Sequence, residues 1–483
     1  MTALIESVET PMEQPPVIGS GPEPAAPRRP PRFPAFDGLR AIAAVTVVGV
    51  HVAFVSGLTP KNPSGVGMYT ARLEIGVSVF FLISGFLLYR PFVVAHLAGA
   101  PKPRTGAFWL RRLLRIVPAY WLVLFVTTSI FHTGPGIGPG GWKAYASHYL
   151  FLQIYFPSQD LKGISAAWSL CVEMTFYLFI PLYAALLGRG RSRRSDRGTL
   201  RLELVGLMVL VVISYAWRLT VLQFQDHHSP YFRLATVWLP AYLDLFALGM
   251  GLAVVSAWMH HRDREAAWMG SRWFPWLSWA SALACFWGVS HIGSPVIPVY
   301  FESDLDIARQ ALYSLFAFFL LLPAVFGPQG RGLIRHVLQW WPMASLGVIS
   351  YGIYLWHETW IYQILGQGHY HDFNLEFWAF FLAVLGLSII SASLSYFIVE
   401  KPALRLKNSL DWWRRTTAGP DQRADGSVPD RGDGRAQDTG AGTGGGSDGD
   451  AGTATETETD TDRSSERSDT FRTGDPGGPS TRS

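Results

Sequence analysis

The sequence predicts an all-α, polytopic integral membrane bundle of about ten transmembrane helices. The first observation behind this is composition: the chain of 483 residues is 49% hydrophobic, contains 19 Trp and has only 16% charged residues, gathered in short loops and at the two ends. The second is the recurrence of apolar runs long enough to span, since a helix needs roughly 20 mostly apolar residues to cross a hydrocarbon core of about 30 Å. The net charge of +4 is small and comes from Arg at loop positions, which reads as topology and not as a nucleic-acid surface. Cys171 and Cys285 both sit in apolar runs, so packing is expected of them and neither a disulfide framework nor a metal site.

In chain order, residues 1–34 are rich in Pro, Glu and Ala and end in Arg28, Arg29 and Arg32. They read as a disordered cytoplasmic tail with a basic stop at the membrane. No short apolar core with a cleavage site precedes Phe36, so no removable signal peptide is expected and the first helix should direct insertion itself. Spans are expected near Phe36 to Gly57, Ile75 to Leu97, Arg112 to His132, Trp168 to Leu187 and Leu202 to Leu222. The second half follows near Ala235 to Trp258, Phe274 to His291, Ala308 to Phe326, Leu346 to Leu365 and Phe377 to Val399. Residues 35–406 form the expected membrane domain. Residues 407–483 become, from about Thr416, almost free of apolar side chains and cannot bury enough surface to fold, which predicts a second disordered tail.

Short cytoplasmic loops retain Lys and Arg, and this orients the bundle. The second loop holds Arg90, Lys102, Arg104 and Arg111; the fourth holds Arg189, Arg191, Arg193, Arg194 and Arg197; the sixth holds Arg262, Arg264 and Arg272. Alternate loops carry little basic charge, and the seventh has Glu302, Asp304 and Asp306 with no Lys or Arg. The expectation is a plasma-membrane protein with both termini cytoplasmic. Lys401, Arg405 and Lys407 directly after the last span agree with it.

The first span contains Asp37, Arg40 and His51. An ionisable group inside a spanning helix costs a few kcal/mol, so such groups usually face a bundle interior or a wet cavity. Arg40 and His51 are eleven residues apart, close to three whole turns at about 100° per residue, so they share a face with a rise of roughly 16 Å between them. A helix-contact histidine and a local Asp37–Arg40 pair would explain the same residues. The third span opens with Arg111, Arg112 and Arg115 ahead of Pro118. Topology alone asks for basic residues at a cytoplasmic helix end; Arg112 and Arg115 also project on one side, at a helix N-terminus whose free amides favour anions, as a phosphate cradle would. The fourth span begins Trp168-Ser-Leu-Cys-Val-Glu173. Entering from outside, Glu173 is expected at a depth similar to that of His51, where it could orient or charge-stabilise an imidazole, or make a structural bond between helices.

These residues resemble the motifs of acyltransferase family 3, the integral-membrane O-acyltransferases: Asp37-Gly-Leu-Arg40 with His51 on the first helix, Arg112-x-x-Arg115-x-x-Pro118 on the third, and Trp168-Ser-Leu-x-x-Glu173 on the fourth. Phe80-Phe-Leu-Ile-Ser84-Gly85-Phe86 is similar to the second-helix motif, and Tyr351-Gly-Ile-Tyr-Leu-Trp-His357-Glu358 and Glu400-Lys401-Pro402 to the closing ones. Met174 stands where relatives commonly carry a second acidic residue, and Thr359 where a Pro is frequent. Small-residue packing alone would explain Ser84-Gly85. His357 and Glu358 are read as scaffold, and Asp244 as a buried acid in want of a partner.

The resemblance implies transfer of an acyl group, often acetyl, from a cytoplasmic acyl-CoA to a hydroxyl of a glycan, cell-envelope component or secondary metabolite. No bound cofactor is expected, and neither is the external hydrolase-like domain that some members carry after the bundle. It implies that Arg112 and Arg115, with Arg40, hold the donor's phosphates, that His51 is a general base or a covalent acyl carrier, and that Glu173 supports it. Partners would be acyl-CoA, the acceptor and membrane lipid. A transporter or flippase, with the same polar groups forming a solute or proton path, is the competing class. It lacks the Gly/Pro-broken helix pair recurring in both halves that transporter repeats show.

Overall fold

The structure is a computed structural model that describes residues 33–99, 102–133, 136–190, 194–224, 229–262, 267–293, 305–327, 332–367 and 376–406. The two expected tails, the Glu302 and Asp304 loop, and Arg191, Arg193 and Arg264 lie outside the described residues. Fifteen α-helices run in order among those described. They are α1 (Ala35–Val55), α2 (Leu58–Lys61), α3 (Val66–Thr70), α4 (Ile75–Ala98), α5 (Thr105–Phe125), α6 (Trp142–Tyr149), α7 (Trp168–Leu187) and α8 (Asp196–Phe224). Then follow α9 (Pro230–Thr236), α10 (Leu243–Arg262), α11 (Trp273–Ser290), α12 (Asp306–Val325), α13 (Leu333–Gln339), α14 (Trp341–Gln367) and α15 (Phe377–Ser395). No β-strand occurs among the described residues.

Eight of the helical segments are long and apolar enough to cross a membrane, so the chain is a multi-pass membrane protein. The two further spans expected from the sequence are helices as well, α11 and α14, of 18 and 27 residues. Their Trp and polar side chains lower the hydropathy without breaking the helix.

Two boundaries differ from expectation in ways that move functional groups. α5 begins at Thr105 after an extended Arg104 and not at Arg112, because Phe108 is buried and packs edge-on against Phe92 at 5.5 Å, which carries the helix back toward the loop. Arg112 and Arg115 therefore lie two to three turns inside the helix, where the free amides of a helix start are out of reach. The expected sixth span is split by a 3-10 turn at Leu239–Tyr242. Pro240 there cannot donate a backbone hydrogen bond. Asp244 thus falls in the first turn of α10, not deep in a helix.

The core is held by close helix pairs, α4 with α10 and α1 with α14 foremost among them. At the α4–α10 crossing the two backbones touch through glycine on both sides. A methyl group on Gly249 would lie 3.0 Å from the Leu82 carbonyl carbon and the Phe86 nitrogen, and one on Gly85 3.1 Å from the Phe246 carbonyl carbon. Small residues are what allow membrane helices to approach this closely.

Candidate active site

The central face of the bundle is lined by α1, α4, α5, α7 and α14, and it holds two adjoining cavities. One, of about 90 Å³, is lined by Arg40 of α1, Ser84 of α4, Arg112 and Arg115 of α5, Ser169, Glu173 and Tyr177 of α7, and Ser350 and Tyr351 of α14. Ser169, Glu173 and Tyr177 recur every four residues, which puts them on one stripe of α7. Three guanidiniums here face a single carboxylate. Arg40 pairs with Asp37 at 3.5 Å, a turn earlier on its own helix, and Glu173 accepts a hydrogen bond from Ser84 Oγ. Arg112 lies over the Phe108 ring at 5.8 Å, with its Nε buried and without a hydrogen-bond partner. Tyr351 ties α14 to α5 by donating to the Ile116 carbonyl at 2.9 Å.

The other cavity, of about 560 Å³, contains His51. Val77, Phe81 and Tyr354 line both cavities, which adjoin at these side chains. α1 and α14 run from the arginine level to the His51 level, while α4 and α7 run back. Around His51 stand Glu74 just before α4, Glu358 of α14 and the Ser165–Ala166 turn that precedes α7. Further out are Arg218, Asp306, Arg309, Gln310 and Tyr313. His51 Nδ1 is 2.9 Å from the Val47 carbonyl and 3.1 Å from His357 Nε2, and His357 Nδ1 is 2.6 Å from the Tyr354 carbonyl. Glu358 is held by Ser165 Oγ and, at 3.0 Å, by the Ala166 amide. Tyr313 donates to Glu74 at 2.7 Å.

The segment between α5 and α7 roofs this cavity with Gln153, Asp160, Leu161 and Lys162. It is fastened by the Asp160–Arg233 ion pair, by Trp238 Nε1 donating to the Ile154 carbonyl at 3.0 Å, and by the Gly163 amide donating to the Gly136 carbonyl at 2.6 Å. Burial pushes the Asp160 carboxyl above its ordinary range, with the Arg233 guanidinium opposing the shift. Behind the cavity Asp244 has the partners that the sequence could not name: Ser214 Oγ at 3.0 Å, Gln310 Nε2 at 2.9 Å and Ser314 Oγ at 2.5 Å. Arg218 spans Asp306 at 2.9 Å and Gln310 at 2.8 Å.

The fold thus brings Arg40, Arg112, Arg115 and Glu173 together and sets His51 apart from them, one cavity away. The expected partnership of Glu173 with His51 does not form, and the two share no hydrogen bond. The reason is depth. The Ser165–Ala167 turn, read as lying near the external surface, already sits at the level of His51 and Glu358, and eight further residues at about 1.5 Å each carry Glu173 roughly 12 Å on, to the arginines. The neighbours of His51 are instead His357 and Glu358, which the sequence reading assigned to scaffold. His51, His357 and Glu358 offer ligand atoms within 4.8 Å of one another. The two histidines bond to each other and to backbone carbonyls, while Glu358 bonds to Ser165 Oγ and the Ala166 amide, and the arrangement is that of a supported imidazole.

The acyltransferase domain family matches residues 33–397, a stretch that includes every residue of both cavities. The chain belongs to this family. It is 27% identical over 392 residues to a putative peptidoglycan O-acetyltransferase of Bacillus subtilis, YrhL, covering 77% of this chain and 54% of the relative. It is 27% identical over 414 residues to the acyltransferase MdmB of Streptomyces mycarofaciens, covering 82% of this chain and 96% of that one, and 24% identical over 383 residues to the peptidoglycan O-acetyltransferase OatA of Listeria monocytogenes, covering 76% and 55%. The chain spans about half the length of two of these three relatives. No solved structure matches it.

Proposed function

We propose that this family member is a membrane O-acyltransferase whose working unit is residues 35–406. In this reading it takes an acyl group from acyl-CoA at the arginine cavity and delivers it to a hydroxyl of a glycan or similar acceptor in the His51 cavity. The single observation that carries the reading is that an anion site with three guanidiniums adjoins a larger cavity containing a supported imidazole, at the shared side chains of Val77, Phe81 and Tyr354. Phosphates of the donor sit at the guanidiniums, in the forked geometry that suits them. The 90 Å³ cavity is too small for the nucleotide, which stays at the mouth while the thin pantetheine arm carries the thioester past these side chains.

At His51 the ring takes the proton of the acceptor hydroxyl, the freed oxygen attacks the thioester carbon, the carbon–sulfur bond breaks, and the imidazolium returns its proton to the CoA thiolate. In the covalent variant the ring nitrogen itself attacks the thioester carbon, the carbon–sulfur bond breaks and CoA leaves as the thiol; the acceptor hydroxyl then attacks the acyl carbon, the acyl–nitrogen bond breaks, and the hydroxyl proton passes to the freed ring. The arginine end is the cytoplasmic one in this reading, where acyl-CoA is made, and the chain enters α1 and leaves α15 at that end, since Glu400 lies within electrostatic range of Arg115. The names of two relatives as peptidoglycan O-acetyltransferases favour a cell-envelope glycan as acceptor.

Incubating the purified protein with radiolabelled acetyl-CoA and a hydroxyl-bearing sugar tests this. CoA release with label appearing on the sugar is expected. CoA release in one burst before acceptor is added would select the covalent variant. Passage of solute across a vesicle without CoA release would turn the reading toward a transporter.

A further inference from the structure

The pair His51 and His357 carries more information than proximity, because hydrogen bonds to carbonyl oxygens reveal where ring protons are. A carbonyl can only accept. His357 Nδ1, 2.6 Å from the Tyr354 carbonyl, must therefore carry a hydrogen, and in a neutral ring this makes Nε2 the acceptor. His51 Nδ1, 2.9 Å from the Val47 carbonyl, must carry a hydrogen by the same argument. It then has a second acceptor in His357 Nε2 at 3.1 Å. Donation from Nδ1 to the carbonyl one turn back is common for helical histidines, and His132, His291 and His336 have the same contact in this chain. Only His51 adds to it a second ring, from a helix 306 residues away in sequence.

We propose that His357 is a positioning residue that locks His51 with its proton on Nδ1 and its basic lone pair on Nε2, the nitrogen left to face the substrates. This rests on the acyl-transfer reading of the same site and names how its base is prepared. His357 is fully buried, and the i, i+3 bond to Tyr354 fixes its ring. Tyr354 is itself fixed by bonds to the Ala166 carbonyl and to Ser169 Oγ at 2.7 Å. His51, by contrast, is only half-buried, and without His357 its tautomer would rest on the single bond to the Val47 carbonyl. When His51 Nε2 takes the acceptor's proton, its Nδ1–H bond to His357 becomes charge-assisted and tightens. No proton passes on to His357: its Nδ1–H is engaged, and a second proton would leave a buried cation. Glu74 lies within electrostatic range of His51 and Glu358 of His357, and neither accepts the transferred proton in this scheme.

The test reads the tautomer directly, by ¹⁵N spectroscopy of histidine-labelled protein in lipid bilayers, with the His51 signals assigned by their loss in His51→Ala. Wild type should show Nδ1 protonated and Nε2 bare, and His357→Phe should show a mixture. In steady-state assays with acetyl-CoA and N-acetylglucosamine as probes, His357→Phe should lower kcat by about ten- to a hundredfold with donor KM unchanged, on the scale of lost support to a general base. His357→Gln, whose amide oxygen can reach the place of Nε2 and accept, should recover most of that loss. Protonated Nε2 in wild type, or a folded His357→Phe protein with full kcat, would overturn the proposal. If no form of the protein releases CoA, the acyl-transfer reading fails, and the spectra still decide the tautomer.

Discussion

Removing one guanidinium at a time separates donor binding from chemistry. Arg112→Ala is the sharper change. Its Nε is buried without a partner and its guanidinium rests on Phe108, so it has little to lose within the protein and much to give to an anion. A hydrogen bond to a charged group contributes about 1.5–3 kcal/mol, and about 1.4 kcal/mol corresponds to a factor of ten. The donor KM should therefore rise by about 10- to 150-fold, with kcat near its original value. Arg115 is shared with Glu400, so Arg115→Ala should show a comparable rise and also lower yield, because it strips a buried carboxylate of its counter-charge. In both variants added salt should raise the donor KM further by screening the charge that remains. Lysine at either position should restore only part of the affinity, because a point charge cannot replace a two-pronged donor. The assay is CoA release against acetyl-CoA concentration at several ionic strengths. Full affinity in Arg112→Lys would reduce the site to generic charge. Unchanged KM in both alanine variants would refute the cradle, with Arg40 the next group to test.

Three other expectations follow from the same geometry. His51→Ala should fold and insert normally yet lose about 10²- to 10⁴-fold in kcat, the usual contribution of a general base; near-normal turnover in the folded variant would return His51 to a packing role. Gly249→Ala should destabilise the bundle by about 1–3 kcal/mol or more, since the new methyl would collide with the Leu82 carbonyl oxygen and press on the Phe86 nitrogen, and an unaltered melting curve in detergent would mean that the α4–α10 crossing yields. A cysteine placed at Thr105, at the start of α5, should resist an impermeant thiol reagent in intact cells and react after lysis; labelling from outside would invert the orientation and move the donor site with it.

What the sequence made legible follows the range of the forces involved. Spanning helices come from local hydropathy, and they were readable to within a turn or two except where packing or proline intervened, at Phe108 and at Pro240. The arginines were readable because charge near a membrane boundary, repeated at i and i+3, is a local pattern. The stripe shared by Arg40 and His51 is likewise a property of one helix. Pairings between helices were not readable. Nothing in the spacing of His51 and His357 shows that α1 and α14 pack side by side, and the Tyr and Trp around His357 make that segment look like scaffold. Glu173 was misjudged because depth was counted from the apparent edge of its apolar run, while the Ser165–Ala167 turn before it already lies inside the bundle. One cue was present and passed over. Gln310 and Ser314 recur at i, i+4 in a mostly apolar span, beside Arg309, and both are spent on Asp244.

The separation of the two cavities gives the first helix a further role, that of a ruler. Arg40 and His51 belong to the same unbroken helix, α1, and the eleven residues between them fix a rise of roughly 16 Å. Helix length is stiff, so this distance cannot relax when substrates bind. A donor gripped by its phosphates at one end can present its thioester at the other only if the arm between them has matching reach, as an extended pantetheine does. Glu173 belongs to the arginine end of this division, while Glu74 and Glu358 belong to the His51 end. Glu173 adds counter-charge to a group of guanidiniums in which Arg40 also has Asp37 and Arg115 also has Glu400, and its bond to Ser84 holds it to the α4 wall. In the proposed mechanism His51 is supported by the His357 ring and the Val47 carbonyl, which orient it without taking its proton.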